Sequence, residues 1–374
     1  MSLKKRLENS IYYLEIDGSL GHREIGRQHG EAFREEIGAS IRYIKGWYKD
    51  TMGEHDALAL YDQLFNGSHY MRDLAYYLPH IHEEFLGLAE GSGYPLQDLM
   101  LINYLDEGFL LLVDHQQKAK GKCTNIGVAA NARYAAMLGQ NLDFTAAYNG
   151  FQALFHIHYP KRNILLYSFT GQLMGMGINS EALSIVANTI VNGTVNLGNG
   201  VPNTLLARAF FECSTVAECR QLLEKCPRST STAWIIGGKD GMACMESTVA
   251  GVTNVPMESQ SGYAHTNHLL ASDDVRDVDG VSRGKTILPA SEGFSWEKTE
   301  ERLAIAKDFL RNKGDVMTPE DMMRFFSEPP ILRDYGDPTI QTCISVIDEE
   351  IPCIYIAQGD SPNRKFVRVD CRLS

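Results

Sequence analysis

Apolar residues recur at a helical interval over the first third of the chain and at a period of two over most of the remainder. After an alternating stretch at 10–20 (Ile11, Tyr13), the positions Ile25, Phe33, Ile37, Ile41 and Ile44 fall three, four or eight apart, which predicts a helix from His22 to Lys49. Further helices are predicted over 56–78 and 79–90. In the latter, Ile81, Phe85 and Leu88 share a face, and Gly91 and Gly93 are expected to end it. Pro95 opens another helix carrying Leu99, Ile102 and Leu105. The polar run Asp114–Lys122 reads as an exposed linker.

From Cys123 onward the pattern is that of strands. Residues 123–130 and 134–142 are expected to pair across a turn at Asn131. The alternation of Phe151, Ala153, Phe155, Ile157 and Tyr159 predicts a strand, and 163–169 and 182–190 extend the sheet. A helix is expected over 202–213, and Thr215 with Glu218 has the spacing of a capping box. Strands follow at 232–238, 242–249 and 263–267, then a polar loop at 271–296 that suits a lid. Helices from Glu297 and Pro319 and strands at 340–348, 351–357 and 365–370 complete the chain. Helices and strands cluster instead of alternating strictly, which is the α+β pattern with helices outside antiparallel sheets.

Composition narrows the function classes. The 374 residues are 44% hydrophobic and 22% charged, as in an ordinary globular protein. A net charge of −12 argues against nucleic acid and anionic membrane as partners. The longest strongly apolar run, 109–113, is far below the roughly 20 residues of a membrane span. No signal-peptide pattern opens the sequence, so the expected location is cytoplasmic. The eight cysteines include no C-x-x-C pair, so neither a zinc site nor a disulfide framework is expected. Asp277-Val278-Asp279-Gly280 fails as a calcium loop, because the first and twelfth ligand positions would be Val275 and Thr286.

The chemistry that remains is nucleophilic. Cys123 stands at the boundary between the helical and strand-rich parts. As a freed chain terminus it would carry its own base, since an α-amine titrates near 8. Asp143 ends the strand expected to pair with that of Cys123, where an acid can hold an ammonium group. Asn267 follows another strand and can serve a developing oxyanion. His265 and His268, only three apart and with no nearby Cys or carboxylate, read as a satisfied pair and not as metal ligands.

The motifs in order resemble the acyl-coenzyme A:6-aminopenicillanic acid acyltransferase family of cysteine N-terminal nucleophile (Ntn) hydrolases, peptidase family C45. They are the Gly21–Gly30 segment, Leu86–Gly93 with Pro95, Cys123-Thr124, Gly139-Gln140-Asn141-Leu142-Asp143, Gly177–Ser180 with Asn188, and His265–His268. The resemblance implies a single domain, 1–374, built as a four-layer αββα sandwich of two antiparallel sheets between helical layers. It also implies self-cleavage between Lys122 and Cys123, giving an α chain, 1–122, and a β chain, 123–374, that stay associated. Carried over by position, Cys123 is nucleophile and base, Asp143 lies near its amine, and Asn188 and Asn267 make the oxyanion and amine contacts. Gln140, Asn141 and His265 are secondary candidates. Related choloylglycine hydrolases have Arg at the position of Gln140, which argues against bile salts. Lys122 stands where the family often has Gly, and a side chain there is expected to slow self-cleavage.

The expected function is therefore a cofactor-free, metal-free amidase or acyltransferase acting on a small N-acyl compound through a Cys123 thioester. An acyl-coenzyme A-dependent acyltransferase or thioesterase, and an unprocessed non-catalytic binding protein, are the alternatives. A homo-oligomer is compatible with any of these.

Overall fold

The computed structural model describes residues 4–108, 110, 122–130, 136–258, 262–275, 296–312, 317–334, 336–347 and 351–372. The turn expected at Asn131, most of the linker expected before Lys122, and most of the loop expected over 271–296 lie outside them. Among the described residues, no helix is long and apolar enough to cross a membrane.

Two sheets form the centre. The nine-stranded sheet runs β1 (Lys4–Arg6), β2 (Tyr12–Asp17), β5 (Gln152–Tyr159), β6 (Arg162–Phe169), β7 (Met176–Asn179), β8 (Ser184–Thr189), β9 (Thr232–Gly238), β10 (Gly241–Ser247) and β11 (Val252–Val255). Its pairs are antiparallel except β2–β5, which is parallel, so the wholly antiparallel expectation holds for the six-stranded sheet alone. That second sheet runs β12 (Gly262–His265), β3 (Lys122–Val128), β4 (Ala136–Asp143), β13 (Thr339–Ile347), β14 (Cys353–Gln358) and β15 (Val367–Asp370). Lys122 is thus the first residue of β3, paired with Asp143, and not the end of a linker.

The two-residue period assigns each strand's side chains to opposite layers. Ala153, Phe155 and Ile157 of β5 and Ile164 and Leu166 of β6 pack into the core beneath the N-terminal helices. Leu154, Leu165 and Tyr167 point the other way and meet Leu138, Cys343, Ile354 and Ile356 of the second sheet. The outer face of that sheet, with Ile126, Met137 and Ile344, packs on the helices Trp296–Asn312 and Pro319–Ser327. Three apolar layers between four layers of structure make the αββα sandwich. Burial of both sheet faces explains why strands such as 163–169 lack a clean apolar–polar alternation.

The long predicted helices are each divided. His22–Ala32 and Arg34–Met52 break at Phe33, whose ring is fully buried against Tyr12 and Phe155. Glu54–Phe65 and Tyr70–Tyr77 break at Asn66-Gly67-Ser68. Thr318 caps its helix with the full reciprocal box to Asp321. β1, β7 and β11, of three and four residues, are too short to show in the pattern.

Gly91 does not end its helix; the stop is Gly93, in the left-handed region at φ 74°. Gly91 has another use. Gly26 and Gly30 on the helix His22–Ala32 face Gly87 and Gly91 on Pro79–Ser92, and the two backbones touch. A Cβ on Gly26 would collide with the Glu84 carbonyl oxygen, and one on Gly87 with that of Arg23. By contrast, nothing lies within 4 Å of a Cβ placed on Gly46, in the helix Arg34–Met52. Gly26→Ala is therefore expected to lose about 1–3 kcal/mol or more of stability by overpacking. Gly46→Ala is expected to gain about 0.5–1 kcal/mol. Urea midpoints of the two variants check both signs.

Candidate active site

Cys123 is the second residue of β3, opposite Leu142 of β4, and is 6% exposed. Strand alternation turns its side chain, with those of Asn125, Gln140 and Leu142, toward the opposing sheet. It opens there onto a cavity of about 100 Å³ between the layers. Asp143 from the end of β4, Asn188 from β8 and Asn267, two residues beyond β12, line the same cavity. Four residues predicted to act together, from two sheets, share one space.

Their hydrogen bonds fix the arrangement. The Cys123 N–H donates to Asn267 Oδ1 at 2.9 Å. Asn267 Nδ2 donates to the Thr189 carbonyl at 3.1 Å, and the Asn267 N–H donates to Thr299 Oγ1 at 3.1 Å. Its amide nitrogen is thus occupied by a backbone partner, and its oxygen faces the Cys123 nitrogen. Asn188 Nδ2 donates to the Thr266 carbonyl at 2.6 Å, and Thr339 Oγ1 donates to Asp143 Oδ1 at 2.6 Å. Burial, reinforced by the Asp143 carboxylate, pushes the Cys123 thiol up to about 12; the Asp143 backbone N–H and the Arg302 charge oppose this. The thiol of the uncut chain is therefore protonated at neutral pH, and its nitrogen, as an amide, is no base.

The secondary candidates separate. Gln140 lines the cavity and clamps one peptide unit across the sheets: its Nε2 donates to the Ala187 carbonyl at 2.6 Å and its Oε1 accepts the Ala187 N–H at 3.0 Å. It positions the strand that carries Asn188. Asn141, one residue on, points to the opposite face, where Nδ2 donates to the carbonyls of Phe326 and Ile331, each at 3.0 Å. It ties helix to sheet and is not among the cavity residues. His265 is also outside the cavity wall. Its Nε2 lies 3.0 Å from Glu246 Oε1, so the expectation of no carboxylate partner fails; the acid comes from β10 of the other sheet, far away in sequence. The Glu246 carboxylate also accepts the backbone N–H groups of Leu270, Ala271 and Ser272, which anchors the chain just past Asn267.

Two residues at the site escaped the sequence reading. Arg302, buried in the helix Trp296–Asn312, donates through Nη1 to the Cys123 carbonyl and to Thr124 Oγ1, each at 2.6 Å, and through Nη2 to Asn267 Oδ1 at 3.1 Å. Asp106 lines the cavity from the short helical stretch 105–108 and accepts Thr189 Oγ1 at 2.6 Å. An acidic pair, Asp106-Glu107, on a helix otherwise apolar was the available signal for the second. Arg302, among the charges of an amphipathic helix, had none.

Among the described residues, one group has metal-like spacing: donor atoms of His22, Glu84 and Glu212 lie within 4.8 Å of one another. The buried Arg208 guanidinium is already seated there. It reaches Glu84 Oε1 at 2.9 Å and Oε2 at 2.8 Å, and Glu212 Oε1 at 2.9 Å. Burial works against a charge on His22, but hydrogen bonds to Glu212 and Glu84 outweigh it and raise the imidazole to about 9. Two cations thus offset two carboxylates, which is a structural network. All eight cysteines are free thiols.

The family model described as acyl-coenzyme A:6-aminopenicillanic acid acyl-transferase matches residues 130–329. No curated protein matches the chain. Among the solved structures that match is a penicillin V acylase from Agrobacterium tumefaciens, at 13% identity over 66% of this chain and 86% of that one, with a TM-score of 0.41.

The His22 network makes stability depend on pH in a defined direction. Folding raises the imidazole from 6.5 to about 9, so its contribution is complete below pH 6.5 and is lost as pH rises through about 9. Urea midpoints are expected to fall over that window in the wild type and to fall less in His22→Gln.

Proposed function

The chain belongs to the acyl-coenzyme A:6-aminopenicillanic acid acyltransferase family of enzymes acting on amide bonds, and from that premise we propose that it is a self-cleaving cysteine hydrolase or acyltransferase of small N-acyl amides. The observation that carries this reading is the convergence of Cys123, Asp143, Asn188 and Asn267 on one cavity, with the Cys123 nitrogen held by Asn267 Oδ1.

The chemistry follows from the geometry. Cys123 Sγ attacks the Lys122 carbonyl carbon, the peptide C–N bond breaks as the acyl group moves from nitrogen to sulfur, and the thiol proton passes to the departing nitrogen, which becomes the α-amine. Water then releases the Lys122 carboxylate and leaves Cys123 as a terminus. Residues 1–122 and 123–374 remain together, because strands of both lie in the nine-stranded sheet. The new α-amine has a reference pKa of about 8 and sits beside a thiol that burial keeps protonated. As base, the amine takes the thiol proton when Sγ attacks the substrate carbonyl, and returns it to the departing amine. The resulting thioester is resolved by water or by an acceptor amine; an acyl-coenzyme A donor suits the same nucleophile.

Asn267 is the contact that orients the α-amine, and Arg302 acts through it by sharing Oδ1. Asp143 holds the amine's charged form, and Asn188 serves the oxyanion. Donors of this kind are worth about 10²–10³ in kcat when preorganised.

Intact mass of the purified protein tests the first step. Fragments 1–122 and 123–374 are expected, with Cys123→Ala remaining one chain. A wild type that stays whole and turns over no amide would overturn the proposal. Asn188→Ala is expected to be processed yet to lose about 10²–10³ in kcat with little change in KM, read from steady-state kinetics on any amide it accepts.

A further inference from the structure

Asp106 takes no part in the reaction above, yet its carboxyl lies below the surface, partly open to the cavity that holds Cys123. Its single hydrogen bond among the described residues is the one that Thr189 Oγ1 donates to Oδ1, at 2.6 Å. Oδ2 has no hydrogen-bond partner among those residues. Burial raises this carboxyl to about 6, with the Thr189 hydroxyl opposing, so it is still an anion at neutral pH.

Among the described side chains that line the cavity, none carries a positive charge. The cavity wall is largely apolar, with Leu142, Phe144, Phe169, Met176 and Trp234, and its polar members are neutral amides and hydroxyls apart from Asp143. No Lys, Arg or His is among the described residues that line it. Arg302, the nearby cation, is held by the Cys123 carbonyl, Thr124 and Asn267. Asp143 stands beside Cys123, where the α-ammonium would offset it. A part-buried carboxylate with a single hydroxyl donor is poorly solvated, and an arriving cation offsets that cost. An arriving carboxylate would instead meet the like charge of Asp106.

We propose that the cavity selects cationic substrates: N-acyl amides bearing a primary ammonium group, which binds Asp106 Oδ2. This deepens the amidase reading and rests on it for the reaction, though not for the binding. Thr189 links the two functions. Its hydroxyl holds Asp106 and its carbonyl holds Asn267 Nδ2, so the ammonium subsite is one residue's width from the group that positions the nucleophile.

The test is binding of hexylamine, hexanol and hexanoate to the purified protein, by calorimetry at about pH 8, where Asp106 is ionised and the amine charged. Hexylamine is expected to bind at least about tenfold tighter than hexanol, with hexanoate weakest. In Asp106→Asn the amine should fall to within about threefold of the alcohol. Equal or tighter binding of hexanol or hexanoate, no binding of any of the three, or an amine advantage that survives Asp106→Asn would each overturn the proposal. If the variant does not fold, the wild-type order decides alone. Iodoacetamide labelling of Cys123 and amide turnover are scored separately. A labelled, active protein without amine preference removes only the Asp106 assignment, and amine preference with an inert Cys123 removes only the nucleophile assignment.

Discussion

The arrangement depends on one buried guanidinium. Arg302 joins the Cys123 carbonyl, Thr124 and the Asn267 side chain, and so locks a strand of the second sheet to the segment leaving β12 and to the outer helix. A charge that is 2% exposed is tolerable only when it is hydrogen-bonded, and here both terminal nitrogens bond to the groups that hold Cys123. The cost of burying Arg302 and the precision of the site are therefore one matter. Any displacement of Cys123 or Asn267 leaves a buried charge short of partners.

The remaining clamps act across the sheets. Gln140 grips the Ala187 peptide and Asn188 reaches the Thr266 carbonyl, so β4, β8 and the end of β12 are pinned to one another by buried amides rather than by apolar contact alone. Glu246 takes three successive N–H groups just past Asn267. Apolar packing of the two sheets is nondirectional and sets only their separation. These directional bonds decide which side chains face the cavity, and the Asp106 carboxylate there accepts a hydrogen bond from Thr189 alone among the described residues.

The motifs carried two kinds of information that look alike in a sequence. In the segment Gly139–Asp143, Gln140 and Asp143 serve the cavity, whereas Asn141 faces the helices and Gly139 leaves room for the Phe326 ring. The glycine-rich segments at 21–30 and 86–93 hold no site residue; they let two helices meet backbone to backbone. Recurrence of a residue type therefore marked close approach in one place and chemistry in another, and only the packing separates them.

By itself the sequence determined the local elements, because period, caps and turn residues act within a few positions. The pairing of 123–130 with 134–142, the N-cap at Thr215 and the stop at Gly93 followed from neighbours in the chain. The ordered motifs also named Cys123, Asp143, Asn188 and Asn267, which share the cavity. What the sequence could not contain was the partner of each. Arg302 is 179 residues from Cys123, and Glu246 meets His265 from the opposite sheet. Asp106 reads as one more acid on a helix until the strand bearing Thr189 is set against it. Those contacts are decided when the two sheets close face to face, since burial gives a charge or an amide its pKa and its obligatory partner, and burial is a property of the assembled layers.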